Sequence, residues 1–152
     1  MVPHTLRREQ LVKRPRDEVF AFFSRPENLA AITPEKVGFK IMTPSPITMQ
    51  TGAVIDYTIR VFGLPVRWTT LISEYRPPYK FIDVQLRGPY SFWYHTHYFE
   101  ETTEGTILRD EVSYALPVGP LGRLVHGLFV KRQLKNIFDY RARVIAEHFG
   151  DT

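Results

Sequence analysis

Six segments between Val37 and Leu116 alternate apolar and polar residues with a period of two, and the chain then switches to helical spacing. Alternation over four to eight residues marks a strand with one buried face, because successive side chains leave opposite sides of the backbone. The segments are Val37–Met42, Val54–Val61, Val66–Glu74, Lys80–Leu86, Ser91–Glu100 and Thr106–Leu116. Turn residues separate them: Pro44, Pro46 and Gly52, then Gly63-Leu-Pro65, Arg76-Pro-Pro, Arg87-Gly-Pro89 and Thr103-Glu-Gly105. Most of these connections are short, which predicts antiparallel hairpins. Leu6–Val12 is a further, more charged strand, suited to an edge or to a face in water.

Helical signals flank this block. Pro15 precedes Asp17 and Glu18, which favour a helix N-terminus, and Val19, Phe20, Phe22 and Phe23 supply its apolar face. Ser24-Arg-Pro-Glu ends that helix, and a second short one over Glu27–Ile32 stops before Pro34. From Leu121 to Phe149 there is no proline, and Leu121, Leu124, Leu128, Leu134, Phe138, Ile145 and Phe149 recur at helical spacing. The spacing predicts one long amphipathic helix of about 28 residues. The expected fold is α+β, one domain over 1–152. A curved antiparallel sheet of about seven strands wraps a long C-terminal helix, with two short helices after the first strand. One helix rarely seals such a sheet, so a space is expected between them.

Composition narrows the function classes. Lys and Arg number 20 against 16 Asp and Glu, a formal charge of +4. The modest excess on the last helix is what a solvated face carries, so no nucleic-acid partner is expected, although transient membrane contact stays open. No apolar run nears the ~20 residues of a membrane span, and no signal-peptide core follows Met1. Without cysteine there are no disulfides or thiolate metal sites, and a cytoplasmic location is expected. Phosphate loops, dinucleotide fingerprints and nucleophile elbows are missing from the sequence. Aromatic residues make up 14% of the chain, and nine of the 21 fall between Tyr75 and Phe99. Such density serves either a large core or a ring-lined pocket.

The segments Phe81–Glu100, Gly105–Asp110 and Tyr114–Pro117, set in this element order, resemble the SRPBCC superfamily. That superfamily of helix-grip proteins includes START lipid-binding domains, birch-pollen-allergen-like proteins and polyketide cyclases. The likeness is to a bacterial branch described as cyclase/dehydrase-like or ligand-binding. It implies a helix-grip fold over essentially the whole chain and a cavity for a lipid- or polyketide-like molecule. Members of that branch are sometimes fused to an epimerase-like domain, so an epimerase-like protein is a candidate partner.

Within Ser91–Glu100 the period of two puts Trp93, His95, His97 and Phe99 on one face. On the next strand Leu108, Asp110, Val112 and Tyr114 form the inward set. If Phe99 pairs with Leu108, His97 stands opposite Asp110 and His95 opposite Val112; a two-residue shift would put His95 opposite Asp110. Phe81, Asp83 and Gln85 form the inward set of Lys80–Leu86. A polar cluster of Gln85, His95, His97 and Asp110 is therefore expected within a sheath of Phe81, Trp93, Phe99 and Tyr114. Asp83 and Trp68 join these as ligand-binding candidates, Trp68 being read first as core.

Three uses suit that cluster. It can satisfy itself, with Asp110 orienting a half-buried histidine. It can fix the polar end of a small hydrophobic or aromatic ligand, the reading adopted. It can also serve a cyclase or dehydratase, with His95 or His97 as acid/base and Asp110 orienting the ring. His-x-His with an opposed carboxylate also has metal-ligand character, but the adopted reading includes no metal and no cofactor.

Overall fold

The computed structural model describes residues 3–61, 63–117 and 119–150. The alternating segments form strands β1 (His4–Val12), β2 (Lys40–Ile41), β3 (Val54–Val61), β4 (Leu64–Arg76), β5 (Lys80–Arg87), β6 (Phe92–Thr102) and β7 (Gly105–Ala115). They make one antiparallel sheet in the order β1-β7-β6-β5-β4-β3-β2. The strands from β3 onward follow as hairpins, while β1 closes the far side by pairing with β7. Register shifts in the β4–β5 pairing, between Thr69 and Thr70 and between Ile72 and Glu74, bend β4. Such bulges increase local twist, and here they help the sheet curve.

Helix α1 (Arg16–Phe23) starts behind Pro15, with Asp17 and Glu18 in its first turn. It ends where the Ser24 hydroxyl donates to Phe20 O at 2.8 Å. Instead of the expected helix over Glu27–Ile32, there is only a 3₁₀ turn, Pro26–Leu29. Pro26 supports a first turn, but the segment is too short to propagate a helix. The expected strand Val37–Met42 is likewise reduced to Lys40–Ile41, because a 3₁₀ turn at Glu35–Val37 ends in left-handed Gly38.

The C-terminal helix runs as α2 (Gly119–Val125), a π-helical turn (His126–Val130) and α3 (Lys131–Phe149). Leu134, Phe138, Ile145 and Phe149 of α3 are buried. Leu121, Leu124 and Leu128, expected on the same buried stripe, are instead more than half exposed. The wider π turn delays the helical phase by nearly one residue, about 100°. That delay rotates the three leucines away from the face that meets the sheet.

Two apolar clusters flank the site. Val12, Val19, Phe20, Phe99, Leu108, Ile145 and Phe149 form one, and Trp68, Trp93, Val112, Tyr114, Leu134 and Phe138 the other. Each fully buried large side chain contributes about 1.5–3 kcal/mol. Helix α3 is tied to β1 by polar contacts as well: Gln10 Nε2 donates to Ala142 O at 2.8 Å, and Arg8 Nη2 to Lys135 O at 3.1 Å. Along α3, Arg141 falls between the two clusters, three residues after Phe138 and four before Ile145.

Candidate functional site: a ring-lined cavity ending on two histidines

The β6–β7 hairpin pairs Phe99 with Leu108, His97 with Asp110 and His95 with Val112. On the other side of β6, His95 lies opposite Asp83 and His97 opposite Phe81. Two imidazoles on alternate residues of one strand are thus enclosed by a carboxylate on each neighbouring strand. Their rings stack with centroids 3.7 Å apart. The shortest bond to Asp110 is diagonal: His95 Nε2 lies 2.7 Å from Asp110 Oδ1, whereas His97 Nδ1 lies 3.5 Å from the same oxygen. Asp83 Oδ2 is 2.5 Å from His97 Nε2 and 3.5 Å from His95 Nδ1. Trp93 Nε1 donates to Asp83 Oδ1 at 3.3 Å, and Arg141 Nη1 stands 3.8 Å from Asp110 Oδ1.

These contacts set the charge states. Burial pushes both carboxyls up, but the two imidazoles outweigh it and hold Asp83 below the usual carboxylate range. Asp110 falls well below that range, because the His95 bond, both imidazoles and Arg141 all favour its anion. His97 moves the other way. Burial and the neighbouring His95 ring lower its pKa despite the two carboxylates, so it is neutral near pH 7.

A cavity of about 150 Å³ opens beside this cluster. Its wall is mostly apolar, from Phe22, Leu29, Ile55, Tyr57, Trp68 and Ile72 among others, and Asp83, His95, His97 and Arg141 line it too. Arg25 and Asn28 supply further polar groups. Trp68 Nε1 and Arg141 Nε are buried without a hydrogen-bond partner among the described residues. Unpaired buried donors are rare enough to need an explanation.

Of the residues singled out from the sequence, Phe81, Asp83, Trp93, His95, His97 and Trp68 line the cavity. The other four do not. Asp110 is not on the wall; it sits behind His95, His97 and Arg141, which are. Phe99 packs in the core against Phe20. Tyr114 is buried in the second cluster, its hydroxyl 2.5 Å from His126 Nε2. Gln85 stands apart from the histidines: its amide donates to Tyr90 O at 2.7 Å and accepts from Tyr90 N at 3.1 Å, bracing the β5–β6 turn. It shares the inward face with Asp83, but it lies at the end of the strand, where backbone groups of the turn need partners.

Sequence reasoning missed Arg141 and the walls contributed by α1 and β3. Arg141 was readable by position, since its spacing from Phe138 and Ile145 puts it on the buried face. Its charge suggested the solvated one instead. The α1–β3 walls come from a sheet curvature that no local pattern encodes.

A seven-stranded antiparallel sheet gripping a long C-terminal helix defines the helix-grip class. The cavity, expected between those two, lies mainly between the sheet and the segment from α1 to the Pro26–Leu29 turn, with Arg141 the α3 residue on its wall. The chain belongs to the polyketide cyclase/dehydrase and lipid transport family, whose profile matches residues 12–138. No curated protein matches significantly. Similar solved structures include TTHA0849 from Thermus thermophilus, at 17% identity and a TM-score of 0.75, covering 96% of this chain and 97% of that one. A ginseng (Panax ginseng) major latex-like protein aligns at 12% identity and 0.67, covering 98% and 99%. A nucleoside-diphosphate sugar epimerase from Corynebacterium glutamicum aligns at 22% identity and 0.70 over 93% of this chain, but only 28% of its own length. At these identities the likeness establishes the fold. No helix among the described residues is long and apolar enough to cross a membrane.

Proposed function

We propose that the protein binds a small hydrophobic or aromatic ligand with one polar end in the cavity beside His95 and His97. The observation that carries this reading is the distribution of polarity in the wall. Rings and aliphatic side chains make up most of the wall, and four of its ionisable residues, Asp83, His95, His97 and Arg141, belong to one cluster. A self-sufficient core has no use for that asymmetry, whereas ligand pockets combine apolar walls with a few placed polar groups. The cavity volume resembles that of an engineered void that accepts benzene, which favours a ligand part of one or two rings inside. A hydroxyl or phenol would donate to Asp83 and accept from Trp68 Nε1. The family's description, which joins cyclase, dehydrase and lipid transport, supports such a molecule.

Native mass spectrometry of protein purified from its own host tests this directly, with a small apolar adduct of constant mass as the expected result. Met49→Trp, which fills the cavity from a half-buried position on its wall, should remove the adduct while the protein stays folded. An adduct kept at full occupancy by Met49→Trp would contradict the reading.

The His95–Asp110 contact at 2.7 Å favours a second reading, a cyclase- or dehydratase-type enzyme in which a carboxylate-oriented imidazole moves a proton of the bound ligand. Turnover of an identified ligand that persists in His95→Gln and His97→Gln would exclude it.

A further inference from the structure

Two imidazoles and two carboxylates are packed together beside the cavity. Four nitrogen–oxygen contacts join the two imidazoles to the two carboxylates, at 2.5, 2.7, 3.5 and 3.5 Å. The contacts at 2.7 and 2.5 Å are hydrogen bonds, whereas the two at 3.5 Å are longer approaches. The bond from His95 Nε2 to Asp110 is short and buried, so placing the proton there turns the lone pair of Nδ1 toward Asp83 Oδ2. His97 Nε2 meets the same Asp83 oxygen at 2.5 Å, a hydrogen bond whose proton an incoming cation would displace.

We propose that Asp83 Oδ2, His95 Nδ1 and His97 Nε2 bind one divalent transition-metal ion of the zinc or iron(II) class, with its remaining coordination positions facing the cavity. One donor atom from each of the three residues lies within 4.8 Å of the other two. Two imidazoles and one carboxylate form a donor set for borderline ions rather than for magnesium or calcium. At metal–ligand distances of about 2.0–2.2 Å, neighbouring donors stand about 2.8–3.1 Å apart in octahedral and about 3.3–3.6 Å apart in tetrahedral coordination. The His95–Asp83 spacing of 3.5 Å already fits. The His97–Asp83 pair at 2.5 Å opens to fit by a shift of Asp83 of about 1 Å, and the stacked rings turn so that both lone pairs meet the ion.

The surroundings match a metal centre in three further respects. Asp110 accepts from the far nitrogen of His95, the carboxylate–histidine arrangement that fixes ring orientation behind a metal. Trp93 Nε1 engages the other Asp83 oxygen, which leaves Oδ2 for the ion. All three ligand residues line the cavity, so the open positions meet whatever the cavity holds. The inference goes beyond ligand binding and stands without it, since the ion needs no organic molecule to bind.

The test uses the metal alone. Chelator-treated protein is titrated with cobalt(II), read by visible d–d absorption, then with zinc as competitor. One cobalt per chain is expected, displaced by one zinc. Asp83→Asn and His97→Gln should weaken binding by about 100-fold or more, and Asp110→Asn by about 10- to 100-fold. Absence of stoichiometric binding by the wild type at millimolar cobalt overturns the proposal, as does binding that these variants leave unchanged. Should a variant fail to fold, wild-type imidazole ¹⁵N resonances decide instead: zinc must shift His95 Nδ1 and His97 Nε2, and shifts confined to His4, His126 or His148 refute the site. Cavity occupancy by an organic ligand is measured separately, so loss of one claim leaves the other standing.

Discussion

Arg141 adds to the histidines in favouring the anion of the carboxylate behind them, and a double-mutant cycle with Asp110 measures that support. Its side chain is 11% exposed, that of Asp110 is 17% exposed, and Nη1 lies 3.8 Å from Oδ1. At an effective dielectric constant near 20 this separation gives about 4 kcal/mol of gross attraction. Desolvation of both ions removes part of it. Arg141→Met keeps an apolar stem but removes the guanidinium that lies over Phe138, and leaves Asp110 with only the two histidines for balance. Removing one partner of a buried pair costs about 3–5 kcal/mol, and the retained histidine bond puts this case near 3. Asp110→Asn should cost about as much, because it leaves a buried guanidinium without a counter-charge. The double variant should lose only about 4 kcal/mol, so the coupling is about 2 kcal/mol. Urea unfolding of the four proteins at pH 7 gives these values from midpoints at constant m. Single costs that simply add, within about 0.5 kcal/mol, would refute the counter-ion role.

Other expectations follow from the same contacts. Gly105 has φ +146, and a Cβ there would press on Val12 O, so Gly105→Ala should lower stability by about 2–3 kcal/mol in urea; a loss under about 0.5 kcal/mol would show that the backbone can yield. Burial lowers the pKa of His126, as do His4 and Lys131, and His97 is lowered as described above. The unfolded chain therefore binds more protons than the folded one just below pH 6.5, and stability should decline as pH falls from there through the folded values. His126→Gln should flatten part of that decline, and an unchanged slope would count against it. For Asp83 and Asp110 the stabilisation is complete above about pH 4, and it should be lost as pH falls through their lower folded values, a second step visible by circular dichroism. Tyr114→Phe removes the hydroxyl that meets His126 and should cost about 0.5–1.5 kcal/mol in thermal or urea unfolding.

How much of this was legible depended on whether local pattern or long-range packing decided the outcome. Alternation placed Trp93, His95, His97 and Phe99 on one buried face, because a strand's period is a property of the backbone. The register that sets His97 against Asp110 follows from matching Phe99 with Leu108, so it too was within reach of the sequence. Which partner each histidine bonds was not, since the diagonal His95–Asp110 contact depends on ring orientation and sheet twist. Gln85 shows the limit of parity arguments: it shares a face with Asp83, yet turn geometry claims its amide. The exposed leucines of α2 show another limit, because a single π turn shifts the phase that the helical spacing assumed.

The central claim, an occupied or occupiable cavity beside the histidine pair, is tested most directly by a ¹H–¹⁵N titration of the wild-type protein with a naphthol. Saturable shifts are expected at the indole N–H of Trp68 and Trp93 and at the imidazoles of His95 and His97, with His148 and the exposed leucines of α2 unmoved. Shifts confined to those leucines, or no saturable shift at the cavity wall, would contradict it.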